Sequence, residues 1–332
     1  MSRWIELSGE APDSAIGSRR PALSVVNIVI DTTGPRASVS HLASCLQALS
    51  EQVNAPPFEV VVPYHPDVDG MEALQQQFDW VRFVPVTDVR ISLRERGGRE
   101  HHDVLKTRGI ALARGELIGL LEDHGRPDTH WCANVTAAHQ RDCAAVGGAI
   151  ENGIDRILNW AVYFCDFGRY QNPLPTGESP IASDANVTYK RGVLDDIVTI
   201  WEKSYREIVV NTALVSRSEK IVLQPDVIVH EQREGLRFGS ALRERFIWGR
   251  SYAATRTAWM SGSQRIVYSA LSPLLPLVLV LRMMDTARQR RRNFGKFLLA
   301  LPVIAALVTV WSAGEAVGYV AGVRTRPASV TG

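Results

Sequence analysis

Three consecutive residues, Glu122, Asp123 and His124, stand directly after the apolar run ELIGLL, where Gly125 and Pro127 stop a strand and turn the chain. Two carboxylates and an imidazole crowded at a strand end repel one another and resist burial. A cation or a substrate phosphate relieves both costs. The triplet is therefore where chemistry is expected first, and the question becomes which elements hold it.

From Leu23 onward, strand and helix patterns alternate. LSVVNIVI is β-branched and apolar, as in a strand buried on both faces. From Pro35 to Gln52, Val39, Leu42, Ala43, Leu46 and Leu49 fall on one helical stripe. Further strands are expected at Phe58 to Val62, Val81 to Val86 and Glu116 to Leu121, with helices at Met71 to Phe78 and at Glu100 to Arg114, the latter ended by Gly115. This alternation predicts an α/β fold with a mostly parallel sheet flanked by helices. Ligands of such sheets bind beyond the carboxyl ends of the strands, which is where the triplet lies.

The chain has 332 residues, 45% hydrophobic and 22% charged, a globular balance. A formal net charge of +2 gives no reason to expect nucleic acid as a partner. Cys45, Cys132, Cys143 and Cys165 are scattered without a CxxC pair, as expected for small buried side chains in a reducing compartment. Residues 1–20 are polar and lack the apolar core of a signal peptide, so they read as a tail before a cytosolic main domain.

After Gly235 the composition changes. In the helical stretch Gly239 to Met260, Arg243, Arg245, Arg250 and Arg256 interleave with Phe246, Trp248, Tyr252 and Trp259, a mixture suited to a lipid headgroup zone. Two apolar stretches follow, Ile266 to Leu281 with Pro273 and Pro276, and Phe297 to Val323 with Glu315; an arginine cluster from Arg282 to Arg292 lies between them. A spanning helix needs about 20 apolar residues. The first stretch is too broken for that and is expected to lie in the interface or dip and return, whereas the second is long enough to span. The expected organisation is a tail at 1–20, an α/β domain at 21–235, a basic amphipathic region at 236–265, membrane-associated hydrophobic helices at 266–323 and a tail at 324–332.

The order of these motifs resembles the inverting family 2 glycosyltransferases, which have the GT-A fold. The resemblance covers roughly Leu23 to Gln232. It rests on LSVVNIVI, HLASCLQAL, FEVVV, Asp69-Gly70, LKTRGIALARGELIGLLEDH (similar to the family's ARNxGxxxAxGExIxFLDDD), Trp131, VGGAIENG, NVTYKR, WEKSYREI and the strand ending VIVH. It implies transfer of one sugar from a nucleotide-sugar donor, with inversion, to a carbohydrate or lipid-linked acceptor at the cytosolic face of the cell membrane. The basic-aromatic tail adds a membrane-lipid partner, by attraction to anionic headgroups, and a homo-oligomer is compatible with the sequence.

By the same resemblance, Glu122, Asp123 and His124 occupy the place of the Asp-x-Asp signature, and a divalent cation there neutralises the departing diphosphate. Carboxylates suit Mg²⁺ or Mn²⁺, and an imidazole moves the preference toward Mn²⁺. His230 resembles a histidine that some relatives bring to the metal. Glu202, in the Trp201-Glu202 pair that opens the expected WEKSYREI helix, matches the catalytic base, and Trp201 falls on the acceptor side. Lys106 or Arg108 falls near the family's arginine that approaches the diphosphate.

Where relatives carry a nucleoside-binding Asp after the second strand, this chain has Pro63-Tyr64-His65; Tyr64 can stack on a base, and Asp67 or Asp31 can replace the carboxylate. On the acceptor side, Asp184 and Asn186 can hydrogen-bond sugar hydroxyls, and Trp160, in NWAVYFCDFGRY, can stack on a pyranose ring or pack in a core. The QxxRW motif of processive synthases is missing. A catalytically silent relative, serving as a membrane scaffold or partner subunit, is the alternative.

Overall fold

The computed structural model describes residues 20–29, 39–87, 99–257 and 260–322. The apolar run at Leu23 forms strand β1 (Leu23–Ile28), followed by α1 (Ser40–Ser50), β2 (Phe58–Tyr64), α2 (Met71–Gln77), β3 (Arg82–Pro85), α3 (Arg99–Leu112) and β4 (Leu117–Glu122). The elements then continue as β5 (Gly125–Pro127), α4 (Trp131–Ala138), β6 (Ala145–Asn152), α5 (Ile157–Asp166), β7 (Gly177–Glu178), β8 (Asn186–Lys190), α6 (Arg191–Asp196), α7 (Val198–Trp201), α8 (Glu207–Ser216) and β9 (Ile221–Glu231). The sheet order is β3-β2-β1-β4-β8-β6-β9-β5, with β7 also paired to β9. Strands β1, β2, β3, β4, β6 and β9 run one way; β8, β5 and β7 are reversed. The α/β class, the mostly parallel sheet and the flanking helices are as expected from the alternating pattern.

Successive strand residues face opposite sides of a sheet, and both sides here are apolar. Leu23 and Val25 of β1 pack with α1, α2 and α4 on one face. Val26 and Ile28 pack with α3 and with Leu194, Trp201, Val210 and Leu214 on the other. In β4, Ile118 and Leu120 belong to this second face. Glu122, two residues on, therefore turns toward α3, and Asp123 turns away from it. All four cysteines are free thiols, Cys45, Cys132 and Cys143 buried and Cys165 partly so.

Helix boundaries differ from the sequence expectation in two informative places. Helix α3 stops at Leu112 rather than at Gly115. Gly115 instead lies against β1, where a Cβ would stand 2.5 Å from the Ser24 amide nitrogen. The segment expected as one helix over WEKSYREI is broken: α7 ends at Trp201 and α8 begins at Glu207.

The C-terminal part forms α9 (Phe238–Arg256), α10 (Gly262–Leu271), α11 (Leu275–Arg290) and α12 (Phe294–Ala321). A third core joins α5 to α12 through Phe164, Phe297, Ile304 and Leu307. Helices α9 and α12 approach backbone to backbone: a Cβ on Gly249 would lie 2.2 Å from the Trp311 carbonyl oxygen, and one on Gly314 would lie 2.3 Å from that of Phe246. The arginines of α9 divide accordingly. Arg243 and Arg250 are exposed, whereas Arg245 turns inward and grips Asp166 of α5 with two guanidinium nitrogens.

Two helical stretches, Gly262–Arg290 and Phe294–Ala321, are long and apolar enough to cross a membrane. The first is hardly covered by the rest of the chain: Ile266 is 72% and Leu277 is 62% exposed.

Candidate active site

At the carboxyl end of β4, Glu122 meets Lys106, which α3 directs at it from the facing layer. Lys106 Nζ donates to Glu122 Oε1 at 3.0 Å and to Asp184 Oδ2 at 2.6 Å. Its side chain is only 2% exposed. Burial opposes its charge, yet the Asp184 and Glu122 carboxylates outweigh burial and raise its pKa above the ordinary lysine value. The network continues, since the Asp184 backbone amide donates to Glu207 Oε2 at 3.2 Å. Glu207 is the first residue of α8, where the helix dipole favours a carboxylate. The loop before it is tied to α3 by Thr107, whose hydroxyl lies 3.0 Å from the Trp201 carbonyl oxygen and accepts from the Tyr205 amide at 2.9 Å. Four ionisable side chains from β4, α3, the segment before β8 and α8 are thereby fixed in one row.

This row lines a cavity of about 560 Å³. Its opposite wall comes from the C-terminal helices, with Arg256 of α9, Leu279 and Arg282 of α11 and Trp311 of α12.

The structure brings Lys106, Glu122 and Asp184 together and places several other candidate residues elsewhere. Asp123 and His124 are 2% and 4% exposed and do not line the cavity. Burial, followed by Arg233, His41 and His102, pushes the His124 pKa well down, so its imidazole is neutral. His230 is half-buried on β9, in register between Arg126 and Glu151. Among the described residues, no three His, Cys, Asp or Glu side chains are gathered as a metal-binding group. Around the triplet, the Lys106 ammonium stands on Glu122, while Asp123 and the buried His124, whose Nε2 has no hydrogen-bond partner among the described residues, lie outside this cavity's lining.

Glu202 is exposed, follows the end of α7 instead of opening a helix, and does not line the cavity. It thus stands apart from the row that Glu207 joins. Trp201 is 5% exposed and donates to the Leu194 carbonyl oxygen at 2.9 Å. Trp160 stacks on Phe164 and donates to Asp155 at 2.6 Å. Both indoles are core rather than sugar platforms. Asn186 is fully buried: its amide nitrogen donates to Ala149 and Val227 carbonyl oxygens, and its oxygen accepts from Trp131 Nε1 at 2.9 Å. It pins β8 to β6, β9 and α4, leaving no donor hydrogen for a sugar.

On the expected donor side, Tyr64 ends β2 and its hydroxyl accepts from Gln75 at 3.0 Å. Asp67 is exposed and lies 3.6 Å from His65, and Arg108 is half-buried on α3. Asp31 lies outside the described residues. Beside Tyr64, a histidine cluster was not anticipated: the His101 ring lies 6.1 Å from His65 and 5.9 Å from His102. Burial, aided by His65, lowers the His101 pKa to about 4. Glu207 was missed because one continuous helix was expected from Trp201. The apolar pair Val209-Val210 after Arg206-Glu207 was the available sign of a new helix start.

No protein-family model and no curated protein sequence matches the chain. Solved structures do. The chain is similar to the mannosyltransferase PcManGT from Pyrobaculum calidifontis, a complex with GDP-Man and Mn²⁺, with TM-score 0.51 and 16% identity, covering 93% of this chain and 91% of that one. S. aureus TarS 1–349 aligns with TM-score 0.45 and 12% identity over 88% and 90% of the two chains. The protein has a glycosyltransferase fold, in which the row of Glu122, Lys106, Asp184 and Glu207 closes the carboxyl end of β4.

Proposed function

We propose that this chain is a glycosyltransferase that moves one sugar from a nucleotide-sugar donor to an acceptor hydroxyl at a membrane face. The observation that carries the reading is the row of Glu122, Lys106, Asp184 and Glu207 on the wall of a cavity at the strand ends of this fold. Glu207 is the proposed base: it takes the proton of the accepting hydroxyl as that oxygen attacks the sugar's anomeric carbon. Attack opposite the departing nucleoside diphosphate inverts that carbon. Lys106 holds Glu122 and Asp184 in place and keeps a positive charge on the cavity wall. A divalent cation, such as the Mn²⁺ in the similar mannosyltransferase complex, would neutralise the departing diphosphate. Residues 266–323, with their exposed apolar side, are proposed to hold the enzyme at the membrane, with the domain of residues 21–235 in the cytoplasm.

Calorimetric titration of the full chain with UDP-, GDP-, CDP- and dTDP-sugars, with and without Mn²⁺ or Mg²⁺, tests the reading. One nucleotide class should bind. A chain that binds none with either metal is a silent scaffold or partner subunit, and the proposal then fails.

A further inference from the structure

The two ends of the cavity differ in chemistry. At the strand end, the cations are paired: Lys106 stands between Glu122 and Asp184, and Arg245 grips Asp166. At the helical end, Leu275, Leu279 and Met283 of α11 form one stripe at four-residue spacing, facing Val308 and Trp311 of α12. A nucleotide or a free sugar has no use for such a wall, and apolar surface left to water costs free energy in proportion to its area.

Between these ends stand Arg169, Arg256 and Arg282. Among the described residues, neither Arg169 nor Arg282 has a carboxylate within ion-pair distance. Arg256 lies on the rings of Tyr252, Tyr268 and Tyr319 and donates to the Tyr319 hydroxyl at 2.8 Å, which donates in turn to Glu315 on the same cavity wall. The guanidinium groups of Arg169 and Arg282, which have no such carboxylate partner, suit a phosphate. The outer side of α11 is apolar as well: Leu274, Leu277 and Leu281 are 61%, 62% and 54% exposed, and α10 continues that surface with Ile266 and Leu271. Helix α11 thus has one apolar side toward the cavity and another toward the surroundings.

Resting on the transferase reading above, we propose that the acceptor is a membrane lipid with a phosphodiester between its apolar chains and its accepting hydroxyl. It enters from the bilayer beside α11. Its chains lie on Leu275, Leu279, Val308 and Trp311, its phosphate meets Arg169 and Arg282, and its hydroxyl reaches Glu207. In the transfer, the hydroxyl oxygen bonds to the anomeric carbon and its proton passes to the Glu207 carboxylate. The bond from that carbon to the donor diphosphate breaks, and its electron pair leaves on the nucleoside diphosphate.

The test uses the full chain in phosphatidylcholine nanodiscs, titrated with dihexanoyl-phosphatidylglycerol, dihexanoylglycerol or glycerol 3-phosphate. The phosphatidylglycerol should bind about tenfold tighter than either fragment. Its affinity should fall about tenfold in Arg169→Gln/Arg282→Gln, and similarly in Leu279→Trp, which fills the apolar wall. Equal binding of glycerol 3-phosphate would make this a free-phosphate site, and equal binding of dihexanoylglycerol would remove the phosphate from recognition. Either result, absence of binding, or unchanged affinity in both variants overturns the proposal. Nucleotide-sugar binding measured on the same nanodiscs reports separately on the transferase reading, so the two can fail independently.

Discussion

Lys106 Nζ lies 2.6 Å from Asp184 Oδ2, joining α3 to the segment before β8 across 78 residues of sequence. With Glu122 on its other side, this ammonium is the centre of the site. Removing a buried partner of this kind strands the charges that remain, at a cost of about 3–5 kcal/mol. Lys106→Met should therefore lower the unfolding free energy by about that amount, read from urea unfolding of the full chain in detergent. An unchanged midpoint would mean that the ammonium does not hold the row together.

Glu207 and Glu202 are five positions apart and sit in different surroundings. The first lines the cavity, and the second is exposed beyond the end of α7. Glu207→Gln should reduce transfer by a factor on the order of 10²–10⁴ with donor binding kept, as expected for loss of a general base. Glu202→Gln should stay within about twofold of the parent, the ordinary result for a solvated charge away from the chemistry. Rates of nucleoside diphosphate release for the two variants decide the matter, and the reverse ranking would return the base role to Glu202.

His139 provides a pH dependence remote from the site. It is buried, its Nε2 lies 2.7 Å from the Thr188 hydroxyl, and burial, with Lys190 nearby, lowers its pKa from 6.5 to about 4. The unfolded chain then binds a proton between those values that the folded chain refuses. The contribution of His139 to stability is complete above pH 6.5 and is lost as the pH falls toward about 4. Unfolding free energies measured across that window should decline with acidification, and more shallowly in His139→Gln. Equal slopes in parent and variant would contradict the assignment.

The outer side of α11 predicts where the protein resides. Leu277 and Leu281 are more than half exposed. Replacing both by Glu places charge on the surface assigned to lipid, and charge is strongly disfavoured there. The variant should shift from vesicle pellets to the supernatant in flotation or sedimentation with anionic liposomes. Full retention on the vesicles would show that this surface does not carry the attachment.

Strands β1, β2 and β4 were legible in the sequence because each is a short apolar run, and Glu122 was legible because it ends such a run, whereas β5 (Gly125–Pro127) and β7 (Gly177–Glu178) carry no such pattern. Three things were hidden. The partners of Lys106 lie 16 and 78 residues away, and no local pattern reports a contact of that range. Trp160 and Trp201 have the same amphipathic chemistry in a core as on a sugar platform; only the hydrogen bonds to Asp155 and Leu194 distinguish the two. Glu207 was obscured because WEKSYREI has helical composition, while the chain breaks at Glu202 so that Tyr205 can bury its ring against Tyr189, hydroxyl to hydroxyl at 2.7 Å.

The central claim is sugar transfer at the Lys106–Asp184–Glu207 row. The most direct measurement is nucleoside diphosphate release from each nucleotide-sugar by the full chain in lipid vesicles, with Glu207→Gln alongside. The account predicts release from one nucleotide class by the parent chain, and a variant that binds the same donor without releasing the diphosphate. Binding of no nucleotide-sugar by the parent, or release by the variant at the parent's rate, would contradict it.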